Sequence, residues 1–305
     1  MRINVLTVLY NCTLSDSATL KSILQANLES TKLNMIIWNN GPTLLKEQDI
    51  NNYLKSNQKN GITTSIYQDV RNISLSKIYN HFINKIDYDF FVIFDQDSNI
   101  DFSFFQNIYH NSQYAIICPA IFPKQKIDKQ CFPSDFEQRE QVVPLGEFSL
   151  SNTRTINSGT ALSKDLIDKL LDNHHYVFDE KFAFYHTDHR LFDLIHATPQ
   201  TAMLKGLCIG KMYHDMTCEV SYDVLSERAR LEIAYAKMLM RMYRAHNPKI
   251  ELRRNLFYAY KMKKKDNLSF RSFLKLLKCV ITKKHPRSYA SIDKDVKPTN
   301  SNIFS

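Results

Sequence analysis

Phe90-Phe91-Val92-Ile93-Phe94-Asp95-Gln96-Asp97-Ser98 is the stretch from which the rest of the chain is best understood. Five consecutive aromatic or β-branched residues suit a strand buried on both faces, as in a sheet covered by helices. The strand breaks at two aspartates one residue apart. Around a sharp turn, Asp95 and Asp97 can converge on one point past the strand's C-terminal end, where open α/β sheets bind ligands. Two hard oxygen donors there suit a divalent cation, and Mg²⁺ takes one or two carboxylates together with substrate phosphates. Taken alone, the same pair also suits a solvated acidic turn, so the flanking elements have to decide.

Upstream, Ile3–Leu9 reads as a first strand ending at Tyr10-Asn11. Ser15 or Asp16 can cap a following helix with Leu20, Ile23, Leu24 and Leu28 on one face. A second strand, Met35–Trp38, ends at Asn39-Asn40-Gly41-Pro42, a turn signal. A third, around Ile62–Tyr67, leads to Arg71-Asn72 and a helix carrying Leu75, Ile78, Tyr79, Phe82 and Ile86. This rhythm predicts an α/β fold with a mostly parallel, Rossmann-like sheet wrapped by helices. Right-handed crossovers would put every strand's C-terminal end on one rim, and with it Asn11, Asn39, Asn72, Asp95 and Asp97. The chain has only six glycines and neither G-x-G-x-x-G nor G-x-x-x-x-G-K-[ST]. A dinucleotide fold or a P-loop is therefore disfavoured, and bound phosphate is expected on metal rather than in a glycine cradle.

Downstream, residues 115–122 read as a buried strand, followed by a polar excursion from Pro123 to about Pro144 that suits a loop over the site. In Thr155–Ser163 an internal Gly159, preceded by Ser158, marks either a bulge or the close approach of a ligand or another backbone. Ser163 can cap a helix from Lys164 to Asp172. The segment Phe178-Asp179-Glu180 to Arg190 then places Asp188 at a helix N-terminus, where the macrodipole favours the carboxylate. An ordinary cap explains such an aspartate too, and His186, Asp188 and His189 could alternatively bind metal, although their spacing is not a zinc pattern. A last strand, Ala202–Ile209, precedes His214, a histidine that suits either a structural or a rim position.

A length of 305 residues and 44% apolar content suit one large domain with an appendage. No apolar run approaches the ~18 residues of a membrane span. The chain enters a strand at once, so a secretory leader is not expected. Six scattered cysteines without Cys-x-x-Cys favour reduced thiols in a cytosol. Residues 215–305 carry 20 Lys+Arg against 9 Asp+Glu, whereas residues 1–214 carry 20 against 22. A near-neutral globular part, 1–215, is thus followed by a basic helical segment, 216–305. Anionic membrane or nucleic acid are the partners such charge allows.

With these stations in order, the sequence resembles a family 2 glycosyltransferase of the GT-A fold, and most of all the bacterial rhamnosyltransferase-like branch that builds O-antigen and capsule repeats. The resemblance runs over about residues 1–215. It rests on Tyr10-Asn11, Trp38-Asn39-Asn40-Gly41, Asn72 with Asn80, Phe94-Asp95-Gln96-Asp97-Ser98, Ser158-Gly159 and Phe178-Asp179-Glu180 through Asp188. It implies nucleotide contacts from Tyr10, Asn11, Asn39, Asn72, Asn80 and Asp95. It implies Mg²⁺ or Mn²⁺ on Asp97 with Asp95 and His214, and Asp188 as catalytic base. Ser158, Gly159, His186 and His189 would border the sugar or acceptor. The donor would be a dTDP- or UDP-linked sugar, and the acceptor a glycan or a polyprenyl-diphosphate carrier at the inner face of the cytoplasmic membrane. Three positions depart from the family pattern: Asn39 for Asp, Ser74 for Gly, and Thr187 for Glu.

One base candidate and no second carboxylate placed as a nucleophile favour a single displacement with inversion. A nucleotidyltransferase would bring a glycine-rich basic loop after the first strand, and Tyr10-Asn11-Cys12-Thr13 is neither. A nucleic-acid-binding module would spread basic residues and aromatics along the sheet, whereas here the charge is confined to the tail, so no nucleic acid is expected. In that tail, Ser221 to about His246 reads as a helix packing through Leu225, Ala229, Ile233, Ala236, Met240 and Tyr243. Leu268–Ile281 reads as a basic amphipathic helix with Phe270, Phe273, Leu274, Leu277, Val280 and Ile281 on one face. That helix suits a membrane interface, or packing on the globular part or a second subunit. Residues after about Pro286 are expected to be disordered.

Overall fold

Apolar alternation along β1 (Arg2–Leu9) sends Leu6 and Val8 to one side of a sheet and Ile3, Val5 and Leu9 to the other, all buried. The structure is a computed structural model describing residues 1–136, 141–216, 224–244, 248–293 and 295–299. After β1 come α1 (Ala18–Gln25), β2 (Lys32–Asn39), α2 (Glu47–Lys59), β3 (Thr63–Gln68), α3 (Leu75–Ile83) and β4 (Phe90–Asp95). Then follow β5 (Asn99–Ile100), α4 (Phe104–His110), β6 (Ile116–Pro123), β7 (Ser134–Asp135), β8 (Gly146–Ser149), β9 (Thr153–Arg154), β10 (Thr160–Ser163) and α5 (Lys164–His174). The remainder is α6 (Thr187–Ala197), β11 (Lys205–His214), α7 (Glu227–Tyr243), α8 (Pro248–Lys265) and α9 (Phe270–Thr282).

The nine-stranded sheet runs β3-β2-β1-β4-β10-β6-β11-β5, with β8 on the same outer edge of β11 as β5. Strands β3, β2, β1, β4, β6 and β11 point one way, and β10 is reversed between β4 and β6. The mostly parallel α/β sheet expected from the sequence is therefore present. One strand departs from the expected rim: the reversal of β10 brings its N-terminal lead-in, not its C-terminal end, to the edge where β4 ends. One face of the sheet packs on α3, α5 and α6 and the other on α1, α2 and α4. β4 is buried from Phe90 to Phe94, and each such side chain contributes ~1.5–3 kcal/mol on burial.

Several local expectations are corrected. Ser17, not Ser15 or Asp16, caps α1: it accepts from Leu20 N, while Ser15 and Asp16 are taken up by Thr13 Oγ1. Leu28 lies beyond the helix. The helix α2 is not announced by periodicity because only Ile50 and Leu54 among its apolar residues are buried. β11 does not stop at Ile209: a register shift between Cys208 and Lys211, at Gly210 with φ +77°, is a bulge from which the strand continues to His214. Ser163 caps α5 as expected, accepting from Leu166 N.

The C-terminal helices form a third cluster with Phe182 of the sheet domain. α7 buries Leu231, Ala234, Tyr235, Ala236, Met238, Leu239 and Met240; Ala236 and Met240 are on the expected face and Tyr243 packs against the cluster, whereas Leu225, Ala229 and Ile233 line the cavity instead. The ends of the helix expected over 221–246 lie outside the described residues. Among the described residues, ordered contacts replace the disorder expected after about Pro286, while residues 294 and 300–305 lie outside the described residues. Pro286–Tyr289 is a 3₁₀ turn, and Ala290, Ile292 and Val296 pack on the sheet core. Lys77 Nζ donates to Ala290 O at 2.7 Å and Thr299 N to Ile66 O at 2.7 Å. Among the described residues Cys12, Cys118, Cys208 and Cys279 are free thiols, and no helix is long and apolar enough to cross a membrane.

Candidate active site

The acidic turn after β4 is built by hydrogen bonds before any ligand is considered. Gln96 Oε1 accepts from Tyr10 N at 2.7 Å, and Gln96 Nε2 donates to Tyr10 O at 3.2 Å, tying the turn to the end of β1. Ser17 Oγ donates to Gln96 O at 2.8 Å, and Ser98 N donates to Thr19 Oγ1 at 2.9 Å, tying it to the first turn of α1. Ser158, on the lead-in to β10, accepts from Asp95 N at 3.0 Å and lies 2.7 Å from Ser98 Oγ. Asp95 and Asp97 thus stand on a braced turn rather than a loose one.

His214, at the end of β11, closes the cluster. Its Nδ1 is 3.0 Å from Ser98 Oγ and 3.3 Å from Asp97 Oδ1, and its Nε2 is 3.7 Å from Asp95 Oδ2. One ligand atom from each of Asp95, Asp97 and His214 lies within 4.8 Å of the others. Burial at the cavity floor pushes the Asp95 carboxyl up to about 6; His214 opposes the rise, and Asp97 and Asp188 add to it. The Asp95 side chain still opens to the cavity, being 43% accessible. The Asp97 carboxyl is also raised, by burial against the pull of His214. Two crowded carboxylates and an imidazole form a donor set that suits Mg²⁺ or Mn²⁺, and a cation would relieve the repulsion between them.

These residues open into one cavity of about 1270 Å³ that also admits Tyr10, Asn72, His186, Asp188 and His189. Asp188 is the second residue of α6, and its Oδ1 accepts from His189 N at 2.7 Å. Burial raises its carboxyl, while His186 and the amide of His189 pull the other way. His186 precedes the helix in the left-handed region (φ 62°), and burial, then His189, lowers its imidazole to about 4. The start of α6 is anchored twice: Asn157 Nδ2 donates to Thr187 Oγ1 at 2.9 Å, and Arg190 Nε donates to the buried Asp179 Oδ2 at 3.0 Å. Asp179 of the Phe-Asp-Glu segment therefore aims the helix that carries Asp188.

Not every residue singled out from the sequence reaches the cavity. Asn39 is buried and braces its own turn, donating to Thr43 O at 2.8 Å and Gln68 Oε1 at 3.1 Å; its neighbour Asn40 lines the wall instead. Asn80 clamps the backbone of Phe178 in both directions, at 2.7 and 2.9 Å. Asn11, with φ 51°, spends its backbone N–H on Gly41 O and is not on the wall. Ser158 and Gly159 lie beneath the cavity floor. The tight approach at Gly159 is to the protein itself, since a Cβ there would meet Met212 Sδ at 2.8 Å. Gly41, with φ +94°, is needed because a Cβ would stand 2.6 Å from Val70 O.

The C-terminal segment supplies residues that the sequence motifs do not mark. Arg228 Nη2 donates to Tyr10 OH at 3.1 Å. Glu232 pairs with Arg287 at 2.8 Å and His285 at 2.9 Å, and Arg287 Nη1 donates to Asn72 Oδ1 at 2.9 Å. Arg228, Glu232, Lys237 and Arg287 all line the cavity. A second apolar stripe on α7, Leu231-Ala234-Tyr235-Met238, was the available signal that Ala229 and Ile233 face elsewhere. Lys126 and Phe132, from the excursion after β6, also reach the wall, while residues 137–140 of it lie outside the described residues.

No family model matches the chain, and no curated protein matches it by sequence. Solved structures do resemble it. S. aureus TarS 1–349 in complex with UDP-GlcNAc aligns over 94% of this chain and 83% of that one, at 14% identity and a TM-score of 0.53. S. aureus TarS 1–349 in another crystal structure aligns over 90% and 71%, at 15% identity and 0.51. GalNAc-T7 with UDP, GalNAc and Mn²⁺ aligns over 93% of this chain and 58% of that one, at 9% identity and 0.50. The chain has a GT-A-like fold. In that GT-A-like sheet, the Asp95–Asp97–His214 cluster sits at the C-terminal edge of the central parallel strands, the ligand-binding edge of open α/β sheets.

Proposed function

We propose that this chain is an inverting, metal-dependent glycosyltransferase. It moves a hexosyl unit, rhamnose on the strength of the sequence resemblance, from a dTDP- or UDP-linked donor to a glycan or lipid-linked acceptor in bacterial surface polysaccharide synthesis. One observation carries the reading: Asp95, Asp97 and His214 form a cation-ready cluster that opens into the same cavity as Asp188. That similar folds bind UDP-GlcNAc in TarS, and UDP with Mn²⁺ in GalNAc-T7, supports it.

A bound Mn²⁺ or Mg²⁺ on Asp97, Asp95 and His214 supplies Lewis-acid compensation for the charge gathering on the leaving diphosphate. The protein's own groups do the rest. Tyr10, Asn40 and Asn72 wall the pocket next to the acidic turn, where the nucleoside would be held. Asp188 takes the proton of the acceptor hydroxyl as it attacks, and the raised carboxyl brings its basicity nearer neutral pH. With Asp188 assigned as the base and no second carboxylate assigned as nucleophile, attack from the face opposite the leaving group inverts the anomeric centre.

The reading is tested by thermal-shift and turnover screens of UDP-, dTDP- and GDP-sugars with and without Mn²⁺. Nucleoside diphosphate release that needs the metal and disappears in Asp97→Asn supports it. Failure of every nucleotide sugar to bind in the presence of Mn²⁺ overturns it.

A further inference from the structure

The layer formed by α7, α8 and α9 turns one side towards the cavity and leaves another uncovered. α9 is apolar on more than one side. Leu276, Cys279 and Val280 are buried, yet Phe270, Leu274 and Ile281 recur at helical spacing and are 65%, 49% and 64% exposed. The adjoining α8 exposes Phe257 and Tyr260. The Tyr260 ring lies 6.5 Å from Phe273, and Lys263 Nζ lies 5.6 Å over the Phe270 ring, so the two stripes form one surface. Single exposed apolar residues are ordinary; five large ones gathered on two neighbouring helices mark an interaction site.

The charge around this surface says what it fits. Residues 248–289 contain thirteen Lys and Arg against two acids, and one of those acids, Asp266, is buried. Lys261 Nζ lies 4.8 Å over Phe257 and Lys264 Nζ 5.0 Å over Tyr260. Exposed Arg271, Lys275 and Lys278 run beside the α9 stripe. Alkyl stems laid along apolar surface with charged heads outward suit the headgroup boundary of a bilayer. A second copy of the same face would set like charges against each other. A nucleic acid would use the charge but give Leu274 and Ile281 nothing to bury in.

We propose that the α8–α9 face docks on an anionic lipid bilayer, with Phe270, Leu274 and Ile281 entering the headgroup boundary and the flanking Lys and Arg facing acidic lipid. α7 lies between this face and the cavity, so the docked surface stands one helical layer from the site. The proposal goes beyond the glycosyl-transfer reading and does not depend on it, because binding is measured without nucleotide sugar.

The test is flotation of the full chain with vesicles of phosphatidylglycerol and phosphatidylcholine in equal parts, against pure phosphatidylcholine. The wild type is expected to float with the anionic vesicles only, and high salt weakens the association. Lys261→Gln/Lys264→Gln/Lys275→Gln is expected to lower partition roughly a hundredfold. Phe270→Ser/Leu274→Ser/Ile281→Ser is expected to abolish it while leaving far-UV circular dichroism unchanged; if that variant misfolds, the glutamine set carries the test. Three results would overturn the proposal. The wild type stays in the soluble fraction, or the serine variant floats as well as the wild type, which leaves a surface that reads charge alone. The third is lipid-free self-association in sedimentation velocity that the serine variant loses, which assigns the face to a second copy.

Discussion

Asp188→Asn separates chemistry from binding at the proposed site. The amide keeps the Oδ1 that accepts the His189 N–H at 2.7 Å, so the start of α6 retains its hydrogen bond. Stability should change by less than ~1 kcal/mol. What is lost is the proton acceptor, typically a factor of ~10²–10⁴ in rate, or about 2.7–5.5 kcal/mol of barrier. The structure adds a second, opposite signal. The Asp188 charge is among those that hold the Asp95 carboxyl up at about 6, so its removal lowers that carboxyl and lets the cation stay bound to lower pH. Donor binding should hold or tighten while kcat collapses, whereas general damage to the pocket would weaken both. Nucleoside diphosphate release at saturating donor gives the first quantity, and calorimetric titration of donor with Mn²⁺ gives the second. A turnover within about tenfold of wild type, or a loss of donor affinity in step with kcat, would refute the assignment.

Four further outcomes are expected. Burial pushes the folded Asp95 carboxyl up to about 6, from an ordinary value of 3.8. It therefore favours the metal-free fold when protonated, and that contribution fades as pH rises through about 6. Cation binding needs the carboxylate, so the rise in melting temperature on adding Mn²⁺ should be large near neutral pH and clearly smaller around pH 5; a shift equal at both would exclude Asp95 as a ligand. Arg190→Ala strands the Asp179 carboxylate, whose side chain is 2% accessible, and should cost ~3–5 kcal/mol in urea unfolding. Gly41→Ala forces a side chain onto Val70 O in a positive-φ conformation, and should cost ~1–3 kcal/mol and raise the donor KM more than it lowers kcat. Truncation after Lys284 removes the His285 and Arg287 contacts with Glu232 and uncovers the core under Ile292 and Val296. The melting temperature should fall, and an unchanged one would show that this segment adds nothing to the fold.

Local chemistry alone marked much of this protein. The β4 run and its two aspartates, the apolar runs of β1 and β2, and the cap at Ser163 were legible because each depends on neighbours within a few residues. So was the placement of Asp188 at the start of a helix. Other features lay beyond such reading because long-range packing decides them. Asn39 and Asn80 look like pocket residues in sequence, yet they are spent on bracing Gln68 and Phe178, partners about 30 and 100 positions away. The reversed β10 places Ser158 under the acidic turn rather than on the cavity wall. The described residues after Pro286 lack the apolar density that signals order, and take theirs from the surface they cross. Sequence determined which residues could carry the chemistry; only the tertiary structure decided which of them share a cavity, because that depends on how the sheet edge, the β11 bulge and the C-terminal segment meet in space.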